Sequence, residues 1–232
     1  SFGFEMEKDA AGGRALNLNY YCRRWLCVDL SDFYRAYHDH KPGLLGSGRE
    51  YAVLVPLVET AQGLCLLYEV RSAGIRQPHE VCFPGGRMES GETPTFCALR
   101  ETQEELGILP EDITVLGLLD FLHLRSEALM HPVLAGLDSS ALRHISPNPD
   151  EVADTFLISV QWLLDHPPTL YRYPLRPMVE PDFPYDEVHI SPAYPWDDGQ
   201  MEVPVYRGLP YPLWGLTARI TYYLLKNIQD KT

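Results

Sequence analysis

The chain has 232 residues, 45% of them hydrophobic and 22% charged, and its 19 Lys and Arg against 32 Asp and Glu leave a formal charge of −13. That length carries one sizeable domain with room for an arm or an insertion, and no apolar run approaches the ~20 residues of a membrane-spanning helix. The negative balance excludes broad nucleic-acid binding, which needs a basic surface, but not a small polyanion met by a metal ion and a few local arginines.

Residues 1–48 read as an N-terminal arm. The opening SFGFEMEKDAAGGRA does not set an apolar run behind a basic one, so no secretory leader is expected. Gly12-Gly13 marks a turn, and Asn17 to Val28 reads as a strand. Ser31 is the predicted cap of a short helix, SDFYRAYHDH, with Phe33, Tyr34 and Tyr37 along one side. His38 and His40 stand at i,i+2, point apart on a helix, and are expected to be solvated rather than metal-bound. GLLGSGRE lacks the Gly-Lys-Ser/Thr ending of a phosphate loop and reads as a linker. Cys22, Cys27, Cys65, Cys82 and Cys97 are odd in number and fit no zinc spacing, which suits reduced thiols in a cytoplasmic protein.

From Tyr51 the pattern turns to strands. YAVLVPLV and LCLLYEV, separated by ETAQG, predict a hairpin, and Val81-Cys82-Phe83 predicts a short strand. It feeds FPGGRMESGETPTFCALRETQEELGI, Phe83 to Ile108. Pro84, Gly85 and Gly86 make a turn that other residues could not follow. Thr93 is the expected N-cap with Pro94 at the first helical position, and Gly107 is the stop. At ~100° per residue, Phe96, Leu99, Gln103 and Leu106 share a side that can face a core. Glu101, Glu104 and Glu105 fall opposite, with Arg100 at the margin. Like charges at this spacing repel, two of them sit where the helix dipole disfavours negative charge, and one guanidinium cannot balance three carboxylates. A solvated acidic face is the plain reading. The glycine turn beside these carboxylates favours another, a site for a hard divalent cation.

Downstream, ITVLGLLDFL and HPVLAGL continue the strands, Asp154 to Ser159 adds one, and Val160 to Asp165 begins a short helix. The fold class is α/β, a mixed sheet between helices. Residues 167–212 are crowded with prolines and tyrosines, which bars them from a central sheet because proline lacks the ladder donor; MEVPVY is an expected edge strand. A substrate lid, a homodimer contact and a plain surface excursion are all compatible with this segment. WGLTARITYYLLKNI closes the chain as an amphipathic helix, with Trp214, Leu216, Ile220, Tyr223 and Leu224 as expected core.

Gly86, Glu92, Arg100, Glu101, Thr102, Glu104, Glu105, Gly107 and Ile108 fall at the nine fixed positions of the Nudix hydrolase signature, Thr102 standing in an apolar slot. The chain therefore resembles that family. The segment LLYEVRSAGIRQPHEVCFPGG, with SPNPDEVADTF and WGLTA, is similar to coenzyme A diphosphatases within it. It departs from them in a shorter Arg76–Glu80 interval, in His79 where glycine is usual, and in a longer proline-rich stretch. The resemblance implies an α/β/α sandwich over residues 49–232 with the 167–212 insertion. It implies Mg²⁺ or Mn²⁺ held by Glu101 and Glu105, with Glu104 as ligand or proton acceptor and the Gly86 carbonyl assisting. Arg100 would orient these groups and Glu92 would brace the loop. Glu151, with Asp150 second, is the candidate general base from outside the signature. Arg71, Arg76 and Gly85 are the candidate substrate contacts. The implied reaction cleaves coenzyme A or a derivative to 3′,5′-ADP and 4′-phosphopantetheine. ADP-ribose, NADH or an oxidised nucleotide is the alternative substrate, and a non-catalytic binding module the more distant one.

Overall fold

The hairpin predicted from Tyr51 onward forms and supplies two strands of the main sheet. In the computed structural model, which describes residues 7–8, 14–15, 29–40, 45, 48–124 and 128–230, the chain divides into two units, 1–43 and 44–232. In the first, β1 (Glu7–Lys8) pairs antiparallel with β2 (Arg14–Ala15). Helix α1 (Leu30–Tyr37) is capped by Asp29 and not by Ser31. The Asp29 carboxylate accepts from the backbone of Ser31 and Asp32, at 2.8 and 3.2 Å, and the Asp32 carboxylate returns to the Asp29 N–H. A residue two places earlier thus closes a full capping box, and the Ser31 hydroxyl is spent on Asp29. The expected Gly12-Gly13 turn and the strand from Asn17 to Val28 lie outside the described residues.

In the second unit β3 (Arg49–Thr60) turns through Ala61-Gln62 into β4 (Gly63–Arg71), followed by β5 (Val81–Cys82) and β6 (Gly85–Arg87). Helix α2 (Pro94–Leu106) leads to β7 (Ile113–Leu118), β8 (Leu122–Leu124), β9 (Ala128–Leu137) and β10 (Val152–Ser159). Then come α3 (Val160–Asp165), β11 (Thr169–Leu175), β12 (Gly199–Tyr206), β13 (Leu213–Trp214) and α4 (Gly215–Gln229). The main sheet runs β10-β4-β3-β9-β7, with β5 on β4, β6 on β3 and β8 on β9; β3 and β9 are parallel and the other pairs antiparallel. Alternation along β3 splits the core. Ala52, Leu54 and Val58 pack with Cys97, Ala98 and Leu106 of α2, whereas Val53 and Val55 join Ala218, Ile220, Leu224 and Leu225 of α4. This is the expected sandwich. No helix among the described residues is long and apolar enough to cross a membrane.

Three expectations are corrected. The buried face of α2 is Cys97, Ala98, Thr102, Glu105 and Leu106, while Phe96 is 64% exposed. The glycine turn covers the helix beside the sheet, so the contact face is rotated toward the signature carboxylates. Thr102 fits its apolar slot because its hydroxyl donates to the Ala98 carbonyl at 2.7 Å. On α4 the buried set is Thr217, Ala218, Ile220, Thr221, Leu224 and Leu225, and Trp214, Leu216 and Tyr223 instead line surface grooves. Finally, β12 is the middle strand of a second sheet, β11-β12-β13, not an edge. Proline is tolerated there because β13 reaches only Val205 and Tyr206, leaving Pro204 opposite Leu170 of β11 alone.

Candidate active site

The site forms where the turn after β5 meets α2. Thr93 caps α2 by accepting the Phe96 N–H at 3.2 Å, and Gly107 ends it at φ 70°. Gly85, at φ 153°, lies against β3, where a side chain would collide with the Ala52 carbonyl and the Val53 backbone. Gly86 is flush with the Glu101 carboxylate, so a methyl group there would occupy that carboxylate's place. The turn therefore delivers backbone onto the acidic helix. The Gly85 N–H donates to Glu105 Oε2 at 2.8 Å.

Arg100 organises the rest. Its Nε and Nη2 donate to the two Glu92 oxygens at 2.9 and 3.2 Å, its Nη1 lies 2.8 Å from Glu101 and 3.1 Å from Glu104, and Nη2 also reaches the Arg87 carbonyl. Glu92 accepts the Glu89 N–H at 2.8 Å, and these bonds, Arg100 foremost, hold its carboxyl down to about 2. Glu92 thus closes the loop onto the helix. Glu104 is the exposed member of the set, and Glu105 is buried. Burial, then Glu69, pushes the Glu105 carboxyl upward, with Glu101 and Glu151 adding to it. Burial is also the main cause that raises Glu101.

The SPNPDEVA segment wraps the end of α2. Backbone N–H groups of Ser146 and Asn148 donate to the carbonyls of Leu106 and Glu105, and the Asn148 amide donates to Glu151 at 3.2 Å. Ser72 N–H takes the Glu151 carbonyl at 2.8 Å, which fixes Glu151 at the end of β4. The structure thus brings Glu151 toward Glu101 and Glu105, whereas Asp150 is exposed. Sequence reading missed Glu69. It is 1% exposed on β4, accepts the Cys82 thiol at 3.0 Å, and is pushed upward by burial and by Glu151. The only signal was a carboxylate inside the apolar run LCLLYEV.

Arg71 and Arg76 differ in placement. Arg71 Nε donates to the Arg76 carbonyl at 2.9 Å, and with the backbone bonds to His79 and Glu80 it pins the β4–β5 loop. Arg76 is exposed on that loop, where His79 is also exposed, at φ 63°. Gln77 of the loop lines a groove of about 390 Å³ with Leu124, Tyr173 and Trp214. His123, Met201 and Arg219 are shared with a neighbouring groove of about 410 Å³.

Among the described residues no three His, Cys, Asp or Glu side chains close into a ready-made cation cage, since Arg100 holds Glu101 and Glu104 and Gly85 holds one Glu105 oxygen. The donors nonetheless fit a hard divalent ion. They are carboxylate oxygens of Glu101, Glu104 and Glu105 around a single guanidinium, and the buried Glu69 Oε2 lacks any hydrogen-bond partner.

Residues 48–179 match the NUDIX domain; the chain belongs to the Nudix family and is a Nudix hydrolase, a class that generally needs divalent metal ions. Among individual relatives, it is 38% identical over 128 residues to the peroxisomal coenzyme A diphosphatase NUDT7 of Mus musculus, covering 54% of this chain and 53% of that one. It spans only about half of that relative's length. It is 34% identical over 178 residues to the mitochondrial coenzyme A diphosphatase NUDT8 of Mus musculus, covering 75% of this chain and 76% of that one. A solved MutT/nudix family protein from Enterococcus faecalis aligns over 91% of this chain and 73% of its own, at 18% identity and a TM-score of 0.46.

Proposed function

We propose that this hydrolase cleaves the diphosphate of coenzyme A or an acyl-coenzyme A, giving 3′,5′-ADP and 4′-phosphopantetheine or its acyl form. The observation that carries the reading is the carboxylate set of α2, gathered against the Gly85-Gly86 turn and balanced by Arg100 alone. The likeness to coenzyme A diphosphatases along most of NUDT8 supports the substrate class. Mg²⁺ or Mn²⁺, when bound, supplies charge neutralisation at the phosphoryl oxygens and an acidified water. Glu101, Glu105 and the Gly86 carbonyl would hold the ion with Glu104. Glu151, fixed at the end of β4, accepts the proton of the attacking water. Arg76 offers an exposed cation to the substrate phosphates from a loop that Arg71 holds in place. Arg219, whose Nη1 meets the Met201 sulfur at 3.2 Å, offers a second between the two grooves.

The test is chromatographic separation of products from coenzyme A, ADP-ribose and NADH with Mg²⁺ or Mn²⁺, using Glu105→Gln as blank. Coenzyme A is expected to turn over fastest and to yield 3′,5′-ADP. Faster cleavage of ADP-ribose or NADH would overturn the substrate assignment, and equal rates from Glu105→Gln would overturn the site. Arg76→Ala is expected to raise KM for coenzyme A about tenfold more than for dephospho-coenzyme A, the loss of one charge-assisted phosphate contact. Arg71→Ala should weaken both alike.

A further inference from the structure

Glu69 lies outside the signature, yet it is a carboxylate buried within a strand. It is 1% exposed, and its Oε2 is the one buried side-chain oxygen or nitrogen among the described residues with no hydrogen-bond partner. A carboxylate left that way is costly unless something absent from the protein pairs with it. Its other oxygen takes the Cys82 thiol at 3.0 Å. The nearby cation, Arg71, favours the ionised form through space but makes no hydrogen bond to Glu69, its Nε being on the Arg76 carbonyl and its Nη1 toward the Cys82 sulfur at 3.9 Å. Against that single cation, Glu69 also feels the negative charge of Glu105 and Glu151. Holding a thiol needs only a neutral acceptor, which a glutamine would provide. An ionisable group retained there answers to a different requirement.

We propose that Glu69 is a fourth carboxylate of the divalent-cation site, its unpaired Oε2 supplying an oxygen to the ion from the sheet side while Glu101 and Glu105 supply theirs from α2. The assignment rests on the metal-dependent reading above. It gives this site one more negative charge than the signature glutamates provide, on a strand rather than on the helix.

The experiment is Mn²⁺ titration by calorimetry, with thermal melts in the absence of substrate, on the wild type, Glu69→Gln, Cys82→Ala and Glu105→Gln. Glu69→Gln is expected to raise the melting temperature of the metal-free protein, because it removes an unpaired buried charge. It should also weaken Mn²⁺ binding at least tenfold and shrink the Mn²⁺-induced rise in melting temperature. Cys82→Ala should leave Mn²⁺ affinity within about twofold. If Glu69→Gln lowers the metal-free melting temperature and binds Mn²⁺ as the wild type does, Glu69 merely holds Cys82 and the proposal fails. Equal weakening by Cys82→Ala overturns it too. No Mn²⁺ binding by the wild type would instead overturn the metal reading itself, and Glu105→Gln, expected to lose binding, separates that result from a failure confined to Glu69.

Discussion

Gly85 and Gly86 are neighbours constrained for different reasons. A Cβ on Gly85 meets backbone of β3 at a φ of 153°, and backbone cannot step aside. Gly85→Ala is therefore expected to destabilise the fold by about 2–4 kcal/mol, read as a fall in melting temperature. The three atoms nearest a Cβ on Gly86 all belong to the Glu101 carboxylate, the far end of a side chain that can move. Gly86→Ala should keep stability within about 1 kcal/mol while lowering turnover at least tenfold, because Glu101 is displaced. Glu92 yields a pH prediction. Its folded carboxyl, held to about 2 by Arg100, lies below the ~4.3 of an unfolded glutamate, so its contribution is complete above that value and is lost as pH falls toward 2. The melting-temperature gap between wild type and Glu92→Gln should be widest above about pH 5 and close by about pH 2. At this scale the signature residues were legible because their chemistry is local. Glu69 was not, since its meaning comes from Cys82 and Glu105, 13 and 36 positions away in the chain.

Helix α4 shows what a pattern leaves out about an element. Its apolar spacing located it, but two threonines fix its rotation. Thr217 Oγ1 donates to the Val81 carbonyl at 2.9 Å. Thr221 Oγ1 donates to the Thr217 carbonyl at 2.9 Å and so accepts from the Tyr68 hydroxyl at 3.0 Å. That direction makes the pair asymmetric. Thr221→Val strands a buried phenol, which also stacks on Phe83, and should cost about 1–3 kcal/mol. Tyr68→Phe leaves Thr221 donating and should cost about 0.5–1.5 kcal/mol. Urea unfolding of both singles and the double should find the double no worse than Thr221→Val, and additive losses would contradict the assigned direction. Sequence periodicity treats threonine as a weak apolar residue on such a helix, so the turn of the helix about its axis was hidden. The same limit applied to α2, whose contact face was set by the glycine turn packed beside it.

For the whole molecule, the catalytic half and the proline-rich half differ in how far the chain foretold them. The main sheet followed from hydrophobic runs and turn residues. Of the β11-β12-β13 sheet only MEVPVY was foretold, and as an edge, because its proline argued against a partner on each side; β13 stops short of Pro204 and makes room for both. The 176–198 connection between β11 and β12 carries Phe183, Tyr185, Tyr194 and Trp196 in contact with one another. Replacing it with a short turn should change stability by about 1 kcal/mol or less, since loop closure depends weakly on length. A much larger loss in a chemical melt would show that this connection belongs to the fold. Arg100 has a wider consequence. By lying between Glu92, Glu101 and Glu104 it serves as an internal counter-ion to the signature carboxylates. On the metal-dependent reading proposed above, that built-in counter-charge would let the scaffold hold together whether or not an ion is bound.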